Sequence, residues 1–190
     1  PSFKQGKFIE EAIRSVWGQK GDFLIEHFIA DGGSSDDTID IIKKLEKELA
    51  SGKFKVNCKG IKLKWWSEKD NGQASALNKC FEQATGDILS WLNSDDFYQN
   101  DDCFQKVSKS FDAHECGILV SNAHYTSEDG KEKIIHQYAA RIKKGYLNKQ
   151  DKKLLYQFDY IPQPSTFFSA EVYKRLKIDE RWYYGMDWDL

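Results

Sequence analysis

The stretch LSWLNSDDFY, residues 89 to 98, sets two adjacent carboxylates, Asp95 and Asp96, directly behind an apolar run. Two carboxylates a few ångströms apart repel by roughly 4 kcal/mol at an effective dielectric near 20. A raised pKa on one acid, a protein cation or a divalent metal could offset that repulsion. No Lys or Arg lies between Lys79 and Lys106, so the neighbouring sequence offers no cation. A hard ion, Mg²⁺ or Mn²⁺, suits one or two carboxylates completed by ligand phosphates. The plain alternative is a turn followed by solvated acids.

Two more polar clusters resemble this one in placement. Pro1, Ser2 and Phe3 open the chain, and ADGGSS, residues 30 to 35, follows another apolar run. Alone, the second reads as a loop and helix cap. In an open parallel sheet, however, ligands bind beyond the carboxyl ends of the strands, and all three clusters fall at such ends. Rival phosphate sites lack their glycines: neither a GxxxxGK[ST] loop nor a GxGxxG fingerprint occurs.

The elements that must position these clusters alternate along the chain. GKFIEEAIRSVWGQ spaces Phe8, Ile9, Ala12, Ile13, Val16 and Trp17 as one apolar helix face. FLIEHFIA reads as a strand ending at Asp31. The segment GGSSDDTIDIIKKLEKELASG reads as a helix with Ser34 or Ser35 as N-cap, Asp36 and Asp37 in its first turn, an Ile39, Ile42, Leu45 and Leu49 stripe, and Gly52 as its stop. IKLKWWSE alternates like a strand, with Trp65 and Trp66 as core and rim. GQASALNKCFEQATG reads as a helix closed by Gly86, and DILSWL as a further strand. This order predicts a largely parallel sheet covered by helices on both faces. Beyond it, DDCFQKVSKSFDA reads as a helix, GILVSNAHYT and KEKIIHQY as a hairpin around SEDG, and residues 139 to 158 as a lysine-rich stretch of no assigned structure.

At 190 residues the chain suits a single domain, expected over residues 1–190. Its 40% hydrophobic and 31% charged residues are an ordinary globular balance, with no run of the roughly 18 apolar residues that spans a bilayer. A net charge of -2 provides no basic excess for nucleic acid. Cys58, Cys80, Cys103 and Cys116 form no CxxC pair and read as reduced thiols.

PSFKQGKFIEEAIRSVWGQ, IADGGSSDDT, SEKDNGQASALNKCFEQATGDILSWLNSDDFY, IPQPSTFFSAEVY and YYGMDWDL stand in the order and spacing of the family 2 glycosyltransferases, which the chain resembles over essentially its whole length. That resemblance implies an α/β GT-A fold and an inverting sugar transfer. It also implies a nucleotide-binding half over residues 1–100, an acceptor-binding half over residues 101–190, and a catalytic domain cut at both ends, lacking the family's first strand. Pro1, Ser2 and Phe3 would wrap the nucleotide base, with the Phe3 ring on its face, and Asp31 would accept a base N–H. Gly32 departs from the family's frequent second acid, which leaves uracil and guanine both open. Asp70 and Gln73 would lie near the base and diphosphate, although Lys69 to Gln73 reads equally as a strand-to-helix turn. NSDD stands where the family carries its DxD metal motif, with Asn93 in the first acid's place. Asp95 would contact ribose or metal, and Asp96 would ligate Mn²⁺ or Mg²⁺.

Within GMDW, the resemblance makes Asp187 the general base that deprotonates the acceptor hydroxyl, with Met186 replacing the family's first acid and Asp189 as the reserve. A helix-terminal acid is the plain alternative. Trp182, Tyr183, Tyr184 and Trp188 suit either acceptor stacking or core packing. Gln163, Ser165 and Thr166 resemble a sugar-pocket segment and also read as loop. Expected partners are a nucleotide-sugar donor, UDP- or GDP-linked, and a carbohydrate or lipid-linked acceptor. The implied location is cytoplasmic, with the inner membrane face as an alternative if Lys143, Lys144, Lys149, Lys152 and Lys153 meet anionic lipid rather than water. A nucleotide-sugar binding module without catalysis is the competing class, and a nucleotidyltransferase a weaker one.

Overall fold

A computed structural model describes residues 1–114, 116–126, 132–136, 140–143, 162–175 and 177–181. Helix α1 (Ile9–Trp17) buries Ile9, Ala12, Ile13, Val16 and Trp17, the face set by their spacing. Strand β1 (Leu24–Asp31) then pairs in parallel with β2 (Gly60–Ser67), in a register that sets Leu24 against Gly60 and Asp31 against Ser67. Helix α2 (Thr38–Ala50) crosses between them. The period-2 alternation of β1 sends Ile25 and Ile29 to one face, where they meet Ile9, Ile13, Trp17, Ile42 and Leu45. Ala30 and Phe28 go to the opposite face. There they meet Ala76 and Cys80 of α3 (Gln73–Phe81), so helices cover both sides as expected.

The next strand differs from expectation. DILSWL pairs only over β3 (Ile88–Leu89), antiparallel to β8 (Thr166–Ser169). After α4 (Cys103–Ala113) come β4 (Cys116–Val120), β5 (Ala123–Thr126), β6 (Glu132–His136) and β7 (Ala140–Lys143). Strands β3, β8, β4 and β7 form one antiparallel sheet in that order, and β5 pairs with β6 as the expected hairpin. A short 3₁₀ turn, Gln163–Ser165, leads into β8, and α5 (Ala170–Arg175) follows it. A second core joins Leu77 and Phe81 of α3 to Leu89, Trp91, Phe168 and Tyr173, with Trp91 stacked on Phe168 at 5.8 Å. A cavity of about 580 Å³ separates β1 from β3, lined by Ile25, Leu77, Phe81, Leu89 and Phe167 among others.

Two helix boundaries also move. Helix α2 starts at Thr38 with Asp37 as its N-cap residue, because Ser34 is engaged elsewhere and the Asp36 carboxylate accepts the Thr38 hydroxyl at 2.6 Å. Helix α3 ends at Phe81, five residues before Gly86. Thr85 donates its N–H and hydroxyl to Glu26 at 2.8 and 2.7 Å, which draws the chain off the helix axis. Gly52 does close α2: its φ of 72° carries the left-handed turn, and Lys53 N–H reaches the Glu48 carbonyl at 3.0 Å. Cys58, Cys80 and Cys103 are free thiols. Among the described residues, no helix is long and apolar enough to cross a membrane.

Candidate functional site

The three polar clusters meet. Ser2 N–H donates to the Ala30 carbonyl at 2.8 Å and Gly32 N–H to the Ser2 carbonyl at 2.8 Å, a parallel bridge that lengthens the sheet at the end of β1. The same segment continues along the following loop: Lys4 N–H donates to Ser34 Oγ at 2.7 Å, Gln5 N–H to Thr38 Oγ1 at 2.9 Å, and Gly6 N–H to Asp36 Oδ2 at 3.1 Å. From the far side, Ser94 Oγ donates to the Pro1 carbonyl at 2.6 Å and ties the acidic loop to the chain's first residue. The hydroxyl of Ser2 is buried and has no hydrogen-bond partner among the described residues.

Asp31 is 1% exposed, and its carboxylate is fully engaged. Oδ2 accepts from Gly33 N, Ser34 N and Ser67 Oγ at 3.0, 2.8 and 2.6 Å, and Oδ1 accepts from Ser34 Oγ at 2.5 Å. This geometry makes Asp31 the clamp of its own loop. Phe3 lies on the surface, 55% exposed, with Lys4 Nζ 5.3 Å from its ring centre. Asp70 faces the same place: a Cβ built on Gly32 would stand 3.3 Å from Asp70 Oδ2 and 3.4 Å from Phe3 Cδ2. Asp70 Oδ1 accepts Gly72 N–H at 2.9 Å, in the turn where Gly72, at φ 107°, opens α3.

Asn93 is a hub rather than a substitute acid. Gln73 Nε2 donates to Asn93 Oδ1 at 2.7 Å, Asn93 Nδ2 donates to Gln163 Oε1 at 3.1 Å, and Gln163 Nε2 donates to the Trp91 carbonyl at 2.6 Å. These amides join the start of α3, the loop after β3 and the turn before β8. Gln163 therefore reaches the acidic loop, whereas Ser165 donates its hydroxyl to the Ser121 carbonyl at 2.8 Å, Thr166 donates its own to the Pro162 carbonyl at 3.0 Å, and both residues are buried. The network was missed in the sequence because its members are 20 and 70 residues apart. Polar side chains at Gln73 and Gln163 were its only visible sign.

Asp95 is exposed and Asp96 half-buried, in a turn closed by Asp96 N–H to the Asn93 carbonyl at 3.1 Å. Burial raises the Asp96 carboxyl to about 6. The charge of Asp95 pushes the same way, and a hydrogen bond from Asn93 partly opposes both. Neither acid forms an ion pair with a described residue, and the described residues contain no group of three or more His, Cys, Asp or Glu side chains arranged to hold a metal. The donor set is thus two hard oxygen ligands. It fits Mg²⁺ or Mn²⁺ if phosphate oxygens and water complete the shell, and it does not fit an all-protein cage. Asp187, Asp189 and the aromatic residues 182–184 and 188 lie outside the described residues.

The family model described as Glycosyl transferase family 2 matches residues 1–180. A Bacillus subtilis glycosyltransferase provisionally assigned to teichuronic acid biosynthesis, TuaG, is 28% identical over 72% of this chain and 50% of its own length. The chain spans about a third to a half of the length of the curated relatives it matches. Among solved structures, Staphylococcus aureus TarS 1-349 in complex with UDP superposes with TM-score 0.65 at 18% identity, over 99% of this chain and 51% of that one. A mannosyltransferase from Pyrobaculum calidifontis in complex with GDP-Man and Mn²⁺ superposes with TM-score 0.62 at 16% identity, over 95% of this chain and 46% of that one. At such identities the superpositions establish the GT-A fold.

Proposed function

The chain belongs to glycosyl transferase family 2, and on that premise we propose that it moves a sugar from a UDP- or GDP-linked donor to a hydroxyl acceptor, with inversion at the anomeric carbon, in polysaccharide or glycoconjugate synthesis. One observation carries this reading: residues 1–6, 31–38, 70–73 and 93–96, far apart in sequence, are hydrogen-bonded into one rim beside two unpaired carboxylates. The UDP and GDP-Man in the two structural neighbours support the choice of donor, and the Mn²⁺ in one supports the cation.

In the proposed reaction, Phe3 stacks against the base and Asp95 and Asp96 would hold the divalent ion, which when bound supplies positive charge against the leaving diphosphate. Asn93, gripped by Gln73 and Gln163, fixes the loop that carries those acids. Asp187 takes the proton from the acceptor hydroxyl as that oxygen bonds to the anomeric carbon. The bond from that carbon to the diphosphate breaks on the opposite face, and the nucleoside diphosphate departs. The α-linkage of the donor becomes a β-linkage in the product, and no covalent enzyme intermediate forms.

Turnover and nucleotide binding, measured separately in the full-length protein, test this. Asp187→Ala is expected to keep Mn²⁺-linked binding of UDP or GDP and to lose turnover by about 10²–10⁴-fold, the usual contribution of a positioned base. Asp96→Ala is expected to lose both. Binding without any transfer in the wild-type protein would favour the binding-module reading, and unchanged turnover in Asp187→Ala would remove that residue from the chemistry.

A further inference from the structure

Asn78 is a polar residue at a core position of α3. It is 8% exposed, and its neighbours in that helix, Leu77 and Phe81, belong to an apolar cluster with Tyr173 of α5 and Ile178. Asn78 Nδ2 donates to the Ile178 carbonyl at 2.9 Å and to Glu180 Oε1 at 3.0 Å, and Asn78 Oδ1 accepts the Tyr173 hydroxyl at 2.8 Å. Burial pushes that hydroxyl up to about 12, so it stays protonated and donates. Two acceptors on one side and a donor on the other admit an amide in one orientation only. Aspartate would set a third acceptor against the first two, and leucine would leave the Ile178 carbonyl unpaired.

The amide thereby sets the height at which residues 178–180 lie along α3. Apolar packing alone tolerates sliding, whereas this set of hydrogen bonds permits one register. Lys177 Nζ adds an exposed tie to Glu82 Oε1 at 2.8 Å. The same helix begins at Gln73, whose amide grips Asn93 of the acidic loop at 2.7 Å, about 7.5 Å along the axis from Asn78. One short helix thus holds the acidic loop at its start and the 178–180 segment on its flank. Asp187 lies seven residues beyond Glu180. We propose that Asn78, with Glu180 as its partner, is a positioning residue, which fixes the approach of the segment bearing Asp187 relative to Asp95 and Asp96 and so serves the rate of transfer rather than nucleotide affinity. This rests on the transferase reading above, with Asp187 as its base.

Three readouts on the full-length protein with saturating Mn²⁺ test this. They are calorimetric binding of UDP and GDP, release of either from UDP- and GDP-linked hexoses with water as acceptor, and hydrogen exchange over residues 177–188 followed by mass spectrometry. Glu180 is exposed, so Glu180→Ala leaves the core intact. In that variant release is expected to slow at least about tenfold, with nucleotide affinity within about twofold of wild type and faster exchange over 177–188. Glu180→Gln keeps the accepting oxygen and is expected to restore release to within about threefold of wild type. Asn78→Ala should show the same split between rate and affinity, together with a lower melting temperature. Added to Asp187→Ala, Glu180→Ala should cost no further rate, because the two changes disable the same base. Undiminished release or unaltered exchange in Glu180→Ala, an equal fall in affinity, failure of Glu180→Gln to restore release, or losses that multiply with Asp187→Ala would each overturn the positioning role alone. Full rate in Asp187→Ala would remove the base and this role with it. Wild type that binds neither nucleotide, or releases none, would overturn the transferase reading as a whole.

Discussion

Asp96, the proposed metal ligand, is held against the interest of stability. Its carboxyl titrates near 6 in the fold against an ordinary 3.8, mainly through burial and secondly through Asp95. As pH rises the unfolded chain gives up this proton first. The native state is therefore penalised progressively between about pH 4 and 6 and carries the full penalty above that window. Asp96→Asn removes it. Without metal at pH 7.5 that variant is expected to be about 1–2 kcal/mol more stable than wild type, seen as a higher urea midpoint at unchanged slope. The advantage should vanish at pH 4. Equal stability at pH 7.5 would mean that the acid is already relieved by a partner outside the described residues. The paired acids themselves were legible in the sequence. The closure of Asp31 was not, because one of its donors is Ser67, brought opposite it only by the register of β1 and β2.

At the scale of elements, the helix faces of α1 and α2 could be read directly, since burial follows a period that the sequence displays. The ends of α3 and β3 could not be read. Thr85 bonds to Glu26 and β3 pairs with β8, contacts spanning 59 and about 80 residues. A similar long-range tie holds the other end of the site's scaffold. Gln19, fully buried after α1, donates to the Ser15 and Asn100 carbonyls at 3.1 and 2.7 Å and accepts Phe104 N–H at 3.0 Å. It fastens the exit of α1 to the start of α4 and so braces the stretch that follows Asp96. Gln19→Ala strands two carbonyls and an amide in the interior and is expected to cost about 2–4 kcal/mol, measurable by urea unfolding. A loss under about 0.5 kcal/mol would show that water enters and replaces the amide.

For the molecule as a whole, the architecture is a parallel unit, β1 and β2 with helices on both faces, set beside an antiparallel sheet that brings Gln163 to the acidic loop. The α/β class was legible because apolar strands and amphipathic helices alternate over the first hundred residues. The antiparallel half was less so: its strands are short, and β8 returns to pair with both β3 and β4, an order no local pattern encodes. With a net charge of -2 and acids at the rim, the molecule has no general attraction for an anionic diphosphate. In the proposed function, nucleotide affinity is linked to a cation, each ligand strengthening the binding of the other. The most direct measurement is calorimetry of UDP and GDP binding to the full-length protein, with Mn²⁺ and with a chelator, in wild type and Asp96→Asn. The account predicts that one of the two nucleotides binds at least about tenfold more tightly with Mn²⁺ in wild type, and that this gain disappears in Asp96→Asn. Equal affinity with metal and with chelator, or a metal-dependent gain preserved in the variant, would contradict it.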